Sequence, residues 1–434
     1  VLDLLRWIAY VREPISLGRL ASVSEANDLE LTKTRDPHSK HSLGRTLDAV
    51  GELVAVMKPG ADFREDFGPF APRELSDSNL ETKLRHSSIV KFLESASSKW
   101  YHFVPEREHG KLADACLAYL SRYSGSPRKA GNEKDLDTFP FLKYASQNWY
   151  LHSRRRDKGD EFSRESSLLT SPIELRDWLW VHDPAFPSRK PFGTSRQTEF
   201  DTGLIYASCC GLKEVVRRML DAGIDANEQG GYMGSAIRAA SDQGHVEMVK
   251  LLLEYGADVN LRAGRHPSPI VGASLEVTKL LLDHGANVDA GGQSDDSAVF
   301  DACISGDVKV LELLLNHGVN LDVVDDESGS LIQAASAYGH VEVVKLLLAH
   351  GADANANEGM SRTPLEIAVD KGDRQLAELL IQAGAKANQE DLAQLGLDAA
   401  AELFTEEQRF MSGQASAKPK RARFMEDPVI EDVD

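Results

Sequence analysis

The chain has 434 residues, 42% of them hydrophobic and 27% charged, with a formal net charge of −19. That length supports two or three domains with a sizeable core, and the composition excludes a collagen-like protein or a bilayer-spanning stretch. The acidic balance argues against nucleic acid or an anionic membrane as partner of the whole chain. Four cysteines, with Cys209 and Cys210 adjacent and no CxxC pair, argue against a zinc site or a disulfide scaffold and point to a reducing compartment. No secretory signal is read at the start. The chain opens on Val1 in a helical stretch, as expected of a piece of something longer.

Leu4, Leu5 and Ile8 share one face of a first helix, which Pro14 ends. Ile15–Val23 starts a second helix, and Leu47–Met57 reads as a third helix running into a strand. Residues 59–82 hold Pro, Gly and many charges and read as a loop or wing. Three helices and a hairpin suggest a winged-helix-like domain over residues 1–95. Its third helix carries Asp48 and Glu52 and no base before Lys58, which is unlike a DNA-reading helix. A helical extension follows over 96–182, with Trp149, Tyr150, Trp178 and Trp180 as core or as contact with the next part. Ser153–Lys158 is a basic run, read as a solvated helix end. Residues 183–197, with Pro184, Pro187, Pro191 and Gly193, read as a linker.

The wording of this half resembles a known family. LLRWIAYVREPISLGRLA (4–21), LRHSSIVKFLES (84–95), LADACLAYLSRY (112–123) and FPFLKYASQNWYLH (139–152) are similar to the segment after the NACHT ATPase in fungal NOD-like (STAND) proteins. That segment is called the GPI-inositol-deacylase winged-helix domain, a name that does not imply deacylase activity. The resemblance is patchy, with residues 24–43 and 124–137 as variable loops. It implies an intramolecular gate that works with a NACHT ATPase in cis or in trans. It also implies that His86, in an H-x-S pattern at a predicted helix N-terminus, contacts the β-phosphate of ADP bound to that ATPase. No GxxxxGK[ST] occurs, so this chain alone is not expected to hydrolyse ATP.

From residue 198 to 390 one phrase recurs: an apolar triplet, a spacer, Gly, three residues, then Asp or Asn. The glycines are Gly223, Gly256, Gly285, Gly318, Gly351 and Gly384, and four of the five steps between them are 33 residues. A second phrase begins with Thr202, Ser235, Ser297, Ser330 or Thr363 and reaches Gly nine residues on. Both phrases, and above all SRTPLEIA (361–368) and GHVEVVKLLL (339–348), resemble the ankyrin repeat. Each such repeat is two short antiparallel helices and a hairpin that must stack on neighbours to bury its apolar stripe. The hydroxyls fall at helix N-caps, and the glycines where outer helices end left-handed. The leucines are expected as core. Six repeats are read, the third short by four residues between Ser268 and Leu275, about one helical turn, so that its inner helix would shorten and leave a notch. The fold class is therefore mostly α, a winged-helix and helical N-terminal part followed by an ankyrin α-solenoid. The first repeat exposes Leu204, Ile205 and Tyr206 unless capped, and Leu175–Trp180 is expected to cover them.

The family's TPLH histidine is replaced by Ile205, Arg238, Phe300, Gln333 and Glu366, which is expected to remove a bond between neighbouring repeats. The resemblance puts a protein partner on the concave face, made of hairpin tips and the exposed side of inner helices. Tip candidates are Tyr232, Met233, Arg265, His266, Asp326, Glu327, Met360 and Arg362. Inner-helix candidates are Arg238, Asp242, Gln333, Tyr338 and Asp370, and Tyr232, Arg238 and Tyr338 lead because Tyr and Arg are over-represented in hot spots. The acidic tip Asp322–Glu327 favours a basic or polar surface.

Asp391–Phe410 has helical spacing and would cap the last repeat, and residues 411–434 read as a disordered tail. Within it Lys418–Arg423 (KPKRAR) resembles a nuclear-localisation signal, so a cytoplasmic protein with a nuclear option is expected. No GxSxG, HExxH or paired Cys/His signature supports an enzyme, and no cofactor or metal is called for. The function expected is a protein-binding module, the gate-plus-sensor half of a NOD-like receptor. The alternative is a stand-alone scaffold or adaptor recruiting a client.

Overall fold

The computed structural model describes residues 104–157, 161–188, 190–192, 200–263, 268–290, 297–325, 329–357 and 362–387, preceded by three short strands. These are β1 (Ile15–Ser16), β2 (Val54–Met57) and β3 (Glu81–Leu84). The central β3 pairs antiparallel with both others, Ile15 opposite Thr82 and Val54 opposite Leu84. Val54–Met57 thus ends the third predicted helix as a strand. Ile15–Ser16, expected to open a helix, is an edge strand instead. Ile15 is β-branched, a residue type that favours extended backbone over helix. The helices of the winged-helix reading, and His86, lie outside the described residues, as do the predicted cap 391–410 and tail.

The chain forms two compact units, residues 1–286 and residues 287–434. The first opens its described helical part with α1 (Pro105–Ser124), α2 (Asp135–Thr138), α3 (Leu142–Ser153), α4 (Ser163–Thr170) and α5 (Pro172–Val181). Proline starts α1, Glu106 and Glu108 lie in its first turn and Arg122 in its last, matching the helix dipole. The predicted aromatic core is present: Trp149 and Trp178 are fully buried and meet edge to face at 5.0 Å. The Trp178 indole donates to the Ser146 carbonyl at 2.8 Å, so its polar edge is satisfied. Buried charge is paired as burial requires. Asp135 accepts from the Tyr123 hydroxyl and from the amides of Ala130 and Gly131. Arg156, in the basic run expected to be solvated, instead bridges Asp114 and the fully buried Glu165.

Three helix pairs or their equivalents complete this unit. The inner α6 (Gly203–Cys209) and outer α7 (Lys213–Asp221) are followed by inner α8 (Ala236–Asp242) and outer α9 (Val246–Glu254). Among the described residues of the third repeat only the outer α10 (Leu275–Asp283) forms a helix. The described residues where the inner helix was expected to shorten hold none, and residues 269–272 make a turn. Taking four residues from a helix of about two turns leaves too few for a bond from residue i to i−4.

The exposed face of the first repeat is covered, though not mainly as predicted. Trp178 on α5 reaches the Tyr206 ring at 6.0 Å, but α4 makes the close approach. Gly203, the first residue of α6, lies so near α4 that a Cβ there would sit 2.0 Å from the Leu169 carbonyl oxygen. Leu168 and Leu169 are buried beside it.

The second unit repeats the pair: α11 (Ala298–Ser305) with α12 (Val308–Asn316), α13 (Leu331–Tyr338) with α14 (Val341–Ala349), and α15 (Pro364–Asp370) with α16 (Arg374–Gln382). A two-stranded hairpin, β4 (Val324–Asp325) and β5 (Gly329–Ser330), leads into α13. The middle residue of each predicted triplet is core: Met219 is buried in the first, and Leu252, Leu281, Leu314, Leu347 and Leu380 in the others are all at 0% exposure. The hydroxyls of Ser235, Ser297, Ser330 and Thr363 cap their inner helices, while Thr202 stands at the cap position without making the bond. All six triplet-phrase glycines have positive φ, from 75° at Gly318 to 96° at Gly384.

Packing sets the outcome of two substitutions. Gly203→Ala should drive α4 off the first repeat and lower the urea midpoint sharply, with Ala207→Gly in the same helix costing only about 1 kcal/mol; equal midpoints for Gly203→Ala and wild type would contradict the seat. The second concerns His182, stacked on Tyr150 at the end of α5, whose pKa burial lowers to about 4. Its folded value is below the unfolded 6.5, so the stability it contributes is present above that value and is lost as pH falls towards 4. His182→Phe should lose less stability than wild type between those limits in paired urea titrations.

Candidate partner-binding surface

The ties between neighbouring repeats determine which side chains are left for a partner. Arg238 stands where the repeat pattern has histidine, yet it is buried, and its guanidinium donates to the carbonyls of Ser268, at 3.0 Å, and Val271. Those carbonyls belong to the turn that replaces the missing inner helix. Pro269 in that turn has no N–H, and the arginine fork supplies donors that a helix ladder would have supplied. Gln333, fully buried, does the same in the second unit: its Nε2 donates to the Arg362 carbonyl at 2.6 Å, and its Oε1 accepts from the Ser330 amide in a capping box. Glu366 completes the equivalent box with Thr363.

The expected loss of inter-repeat bonds is therefore corrected, because Arg and Gln carry donors of their own. Other histidines add to them. Nε2 of His245 donates to the Cys209 carbonyl at 3.0 Å, and Nε2 of His340 to the Ile304 carbonyl at 2.8 Å, which fixes the proton on that nitrogen in both rings. Gly306 leaves room for one of these rings, since a Cβ would approach His340 to 2.6 Å. The Asn that ends the triplet phrase is a third tie: Nδ2 of Asn227, Asn260 and Asn355 donates to the carbonyls of Gly256, Gly285 and Gly384, each at 3.1 Å.

What remains at the surface is a shorter set. Asp242 is exposed at the end of α8 and holds Arg238 at 3.4 Å. Tyr338, at the end of α13, is 57% exposed and stacks parallel to His340. Arg362 is exposed before α15 and pairs with the exposed Asp370 at its end. Tyr232 is half-buried, its ring edge against Phe186 at 4.7 Å, so a residue expected in a linker packs on this tip. The Met233 amide donates to the buried Asp201 carboxylate at 3.1 Å. Arg265, His266, Asp326, Glu327 and Met360 lie outside the described residues. Arg238 and Gln333 leave the set of exposed candidates, because a buried, internally bonded side chain presents no donor to a partner. Sequence reasoning missed Asp201, Phe186 and the two histidines of the GH phrase; the recurring Gly-His before an outer helix was the available signal for the last.

Residues 188–263 and 321–391 match the family described as ankyrin repeats (3 copies), and residues 295–326 match ankyrin repeat. These segments are ankyrin repeats. Among curated proteins, the chain is similar to azaphilone pigments biosynthesis cluster protein L of Monascus ruber, 28% identical over 205 residues, which are 42% of this chain and 42% of that protein. The chain thus spans less than half the length of that relative. Among solved structures it is similar to the ankyrin repeat domain of human ASB11, at 26% identity and a TM-score of 0.39, covering 46% of this chain and 96% of that one. An ankyrin repeat domain from Acinetobacter baumannii gives 26% identity and 0.38, covering 42% and 98%. The ankyrin repeat domain of Bcl-3 gives 26% and 0.36, covering 42% and 82%.

No activated thiol stands among the described residues. Cys116, Cys209, Cys210 and Cys303 are buried, and burial raises every one of their pKa values, Cys209 and Cys303 to about 12. At neutral pH they are protonated and weakly nucleophilic.

Arg238→Met should cost about 2–4 kcal/mol in equilibrium unfolding, since it orphans the carbonyls of the third-repeat turn. Ser235→Ala should cost about 1 kcal/mol and Thr202→Ala close to nothing, because only the first of these two hydroxyls makes a cap bond. Equal losses at Ser235 and Thr202 would show that the caps are not what separates them.

Proposed function

We propose that this chain recognises a protein partner through its ankyrin repeats, and that it is the gate-plus-sensor part of a NACHT-type STAND receptor. Ankyrin repeats are protein–protein interaction modules, and the repeats here make up the larger share of the described residues. The observation that carries the surface assignment is Tyr338. It is one of three large hydrophobic residues that stand exposed among the described residues, with Ile173 and Tyr255, and it lies on an inner helix. Tyr255 is engaged by Asp221, whereas Tyr338 offers its ring outward from a stack with His340. In the second unit Arg362 and Asp370 provide a polar rim, a combination of aromatic anchor and exchangeable charge found at interface hot spots. In the first unit the contributing residues are Tyr232, Met233 and Asp242.

The gate reading is supported by the wording of residues 4–21, 84–95, 112–123 and 139–152, and by the helical extension capping the first repeat through α4. A helix seated on the end repeat is a mechanical link through which a partner on the array can act on what precedes it. In that reading His86 contacts the nucleotide of an attached ATPase, and ADP affinity of such a longer chain should fall with His86→Ala. The partner class is protein; among the described residues no helix is long and apolar enough to cross a membrane. A cytoplasmic location with nuclear entry through Lys418–Arg423 belongs to the same proposal.

The test is an unbiased pull-down with wild type, Tyr338→Ala and Tyr338→Ala/Arg362→Ala. Partners captured by wild type should weaken about 10-fold or more with Tyr338→Ala, the loss expected of a hot-spot aromatic. Full retention by the folded double variant would overturn the choice of face.

A further inference from the structure

We infer that the cleft between the helical extension and the first ankyrin repeat binds a small phosphate-type polyanion through Arg154, Lys213 and Arg217. The cleft has a volume of about 390 Å³ and lies between the end of α3 and the start of α7. That is within the size range of small-ligand sites, which run from roughly 300 to 1,000 Å³. A neighbouring hollow of about 320 Å³ shares Arg154 with it and adds Arg155.

Its charge is what sets the site apart. The chain carries a net charge of −19, yet Arg154, Arg156, Lys213 and Arg217 line one cleft with Glu214 as its one acid. Arg156 is not available, because Asp114 and Glu165 hold it; it closes the back of the cleft. Its guanidinium lies over the Phe162 ring at 5.4 Å, and Arg218 lies over the same ring at 5.1 Å, so two like charges are held on one aromatic side chain. Arg154 is exposed, and among the described residues no carboxylate pairs with it. Lys213 pairs with Glu247 in an exposed contact of the kind worth about 0–1 kcal/mol, and the half-buried Arg217 meets Glu214 only at 3.8 Å. An incoming dianion can exchange for them.

The lining selects the chemistry. Arginine forks match the oxygens of phosphate and carboxylate groups, and a lysine adds a point charge. No side chain caps the first turn of α7, whose Glu214 and Val215 line the cleft, so its amides add partial positive charge. Gly211 keeps the entrance open: a Cβ there would meet His245 at 2.8 Å and the Arg154 guanidinium carbon at 3.2 Å. A phosphoryl group could come from a free small phosphate or from a phosphorylated protein side chain, and both present the same oxygens.

The experiment is isothermal titration of the full chain, at low ionic strength, with three probes: pyrophosphate, a short phosphoserine peptide and the same peptide unphosphorylated. Wild type should bind pyrophosphate or the phosphopeptide with a Kd below about 1 mM. Arg154→Ala should weaken that binding about 10-fold, as should Lys213→Ala/Arg217→Ala. Arg154 is exposed, so circular dichroism and the urea midpoint of its variant should equal wild type. Tighter binding of pyrophosphate identifies a free ligand, and tighter binding of the phosphopeptide a modified protein; either supports the site. The inference is overturned if neither phosphate probe gives heat, if the unphosphorylated peptide binds as well as the phosphorylated one, or if Arg154→Ala binds as wild type does.

Discussion

A pair of seven- to nine-residue helices has too little interior to bury its own apolar stripe, and everything in this structure answers to that constraint. Within each unit the stripe of one repeat is closed by the next, and the middle of each outer-helix triplet lies in the core, Met219 in the first and a leucine at 0% exposure in the other five. The first repeat has no repeat before it, so α4 takes that place. The approach is close enough that only a glycine fits at position 203. The helical extension is consequently part of the array's hydrophobic economy and not a separate body joined by a tether, and Phe186 against Tyr232 strengthens the join.

Stacking alone leaves sliding possible, and hydrogen bonds across the seams supply register. The repeat's customary histidine is absent, but its task is spread over other groups. Arg238 and Gln333 donate from the same position, His245 and His340 from the start of the outer helices, and Asn227, Asn260 and Asn355 from the hairpins. Arg238 is the most specialised of these. Its neighbour has lost an inner helix, and a guanidinium with five donors can reach two carbonyls of an irregular turn where an imidazole could reach one. The arginine at the histidine position and the turn in place of an inner helix thus meet in one contact.

These demands narrow the candidate surface. Side chains that hold the seams cannot also greet a partner, which removes Arg238 and Gln333 and leaves Tyr338, Arg362, Asp370 and Asp242 pointing to solvent. The division of labour also explains the basic run at 153–156. Arg156 is held inside, bridging Asp114 and Glu165, while Arg154 remains outside in a cleft whose other cations pair near its surface.

Much was legible in the sequence because repeats are local. The phrase spacing, the hydroxyl caps at Ser235, Ser297, Ser330 and Thr363, and the left-handed glycines each depend on neighbours within a turn or two, and all were readable without a fold. The shortened third repeat was legible as a count but not as an outcome: helix propagation needs a minimum length that counting does not test. The direction of Arg238 and Gln333 was not legible, since a polar residue on an inner helix reads as exposed until the next repeat is placed over it. Nor was the seat of α4, because Leu168, Leu169, Leu175 and Trp178 are equally apolar and only the backbone approach at Gly203 chooses among them. Sequence alone determined that this protein is a stacked array with capped helices. Which side chains the stacking consumes, and which it leaves for binding, was decided by tertiary contacts between residues some thirty positions apart.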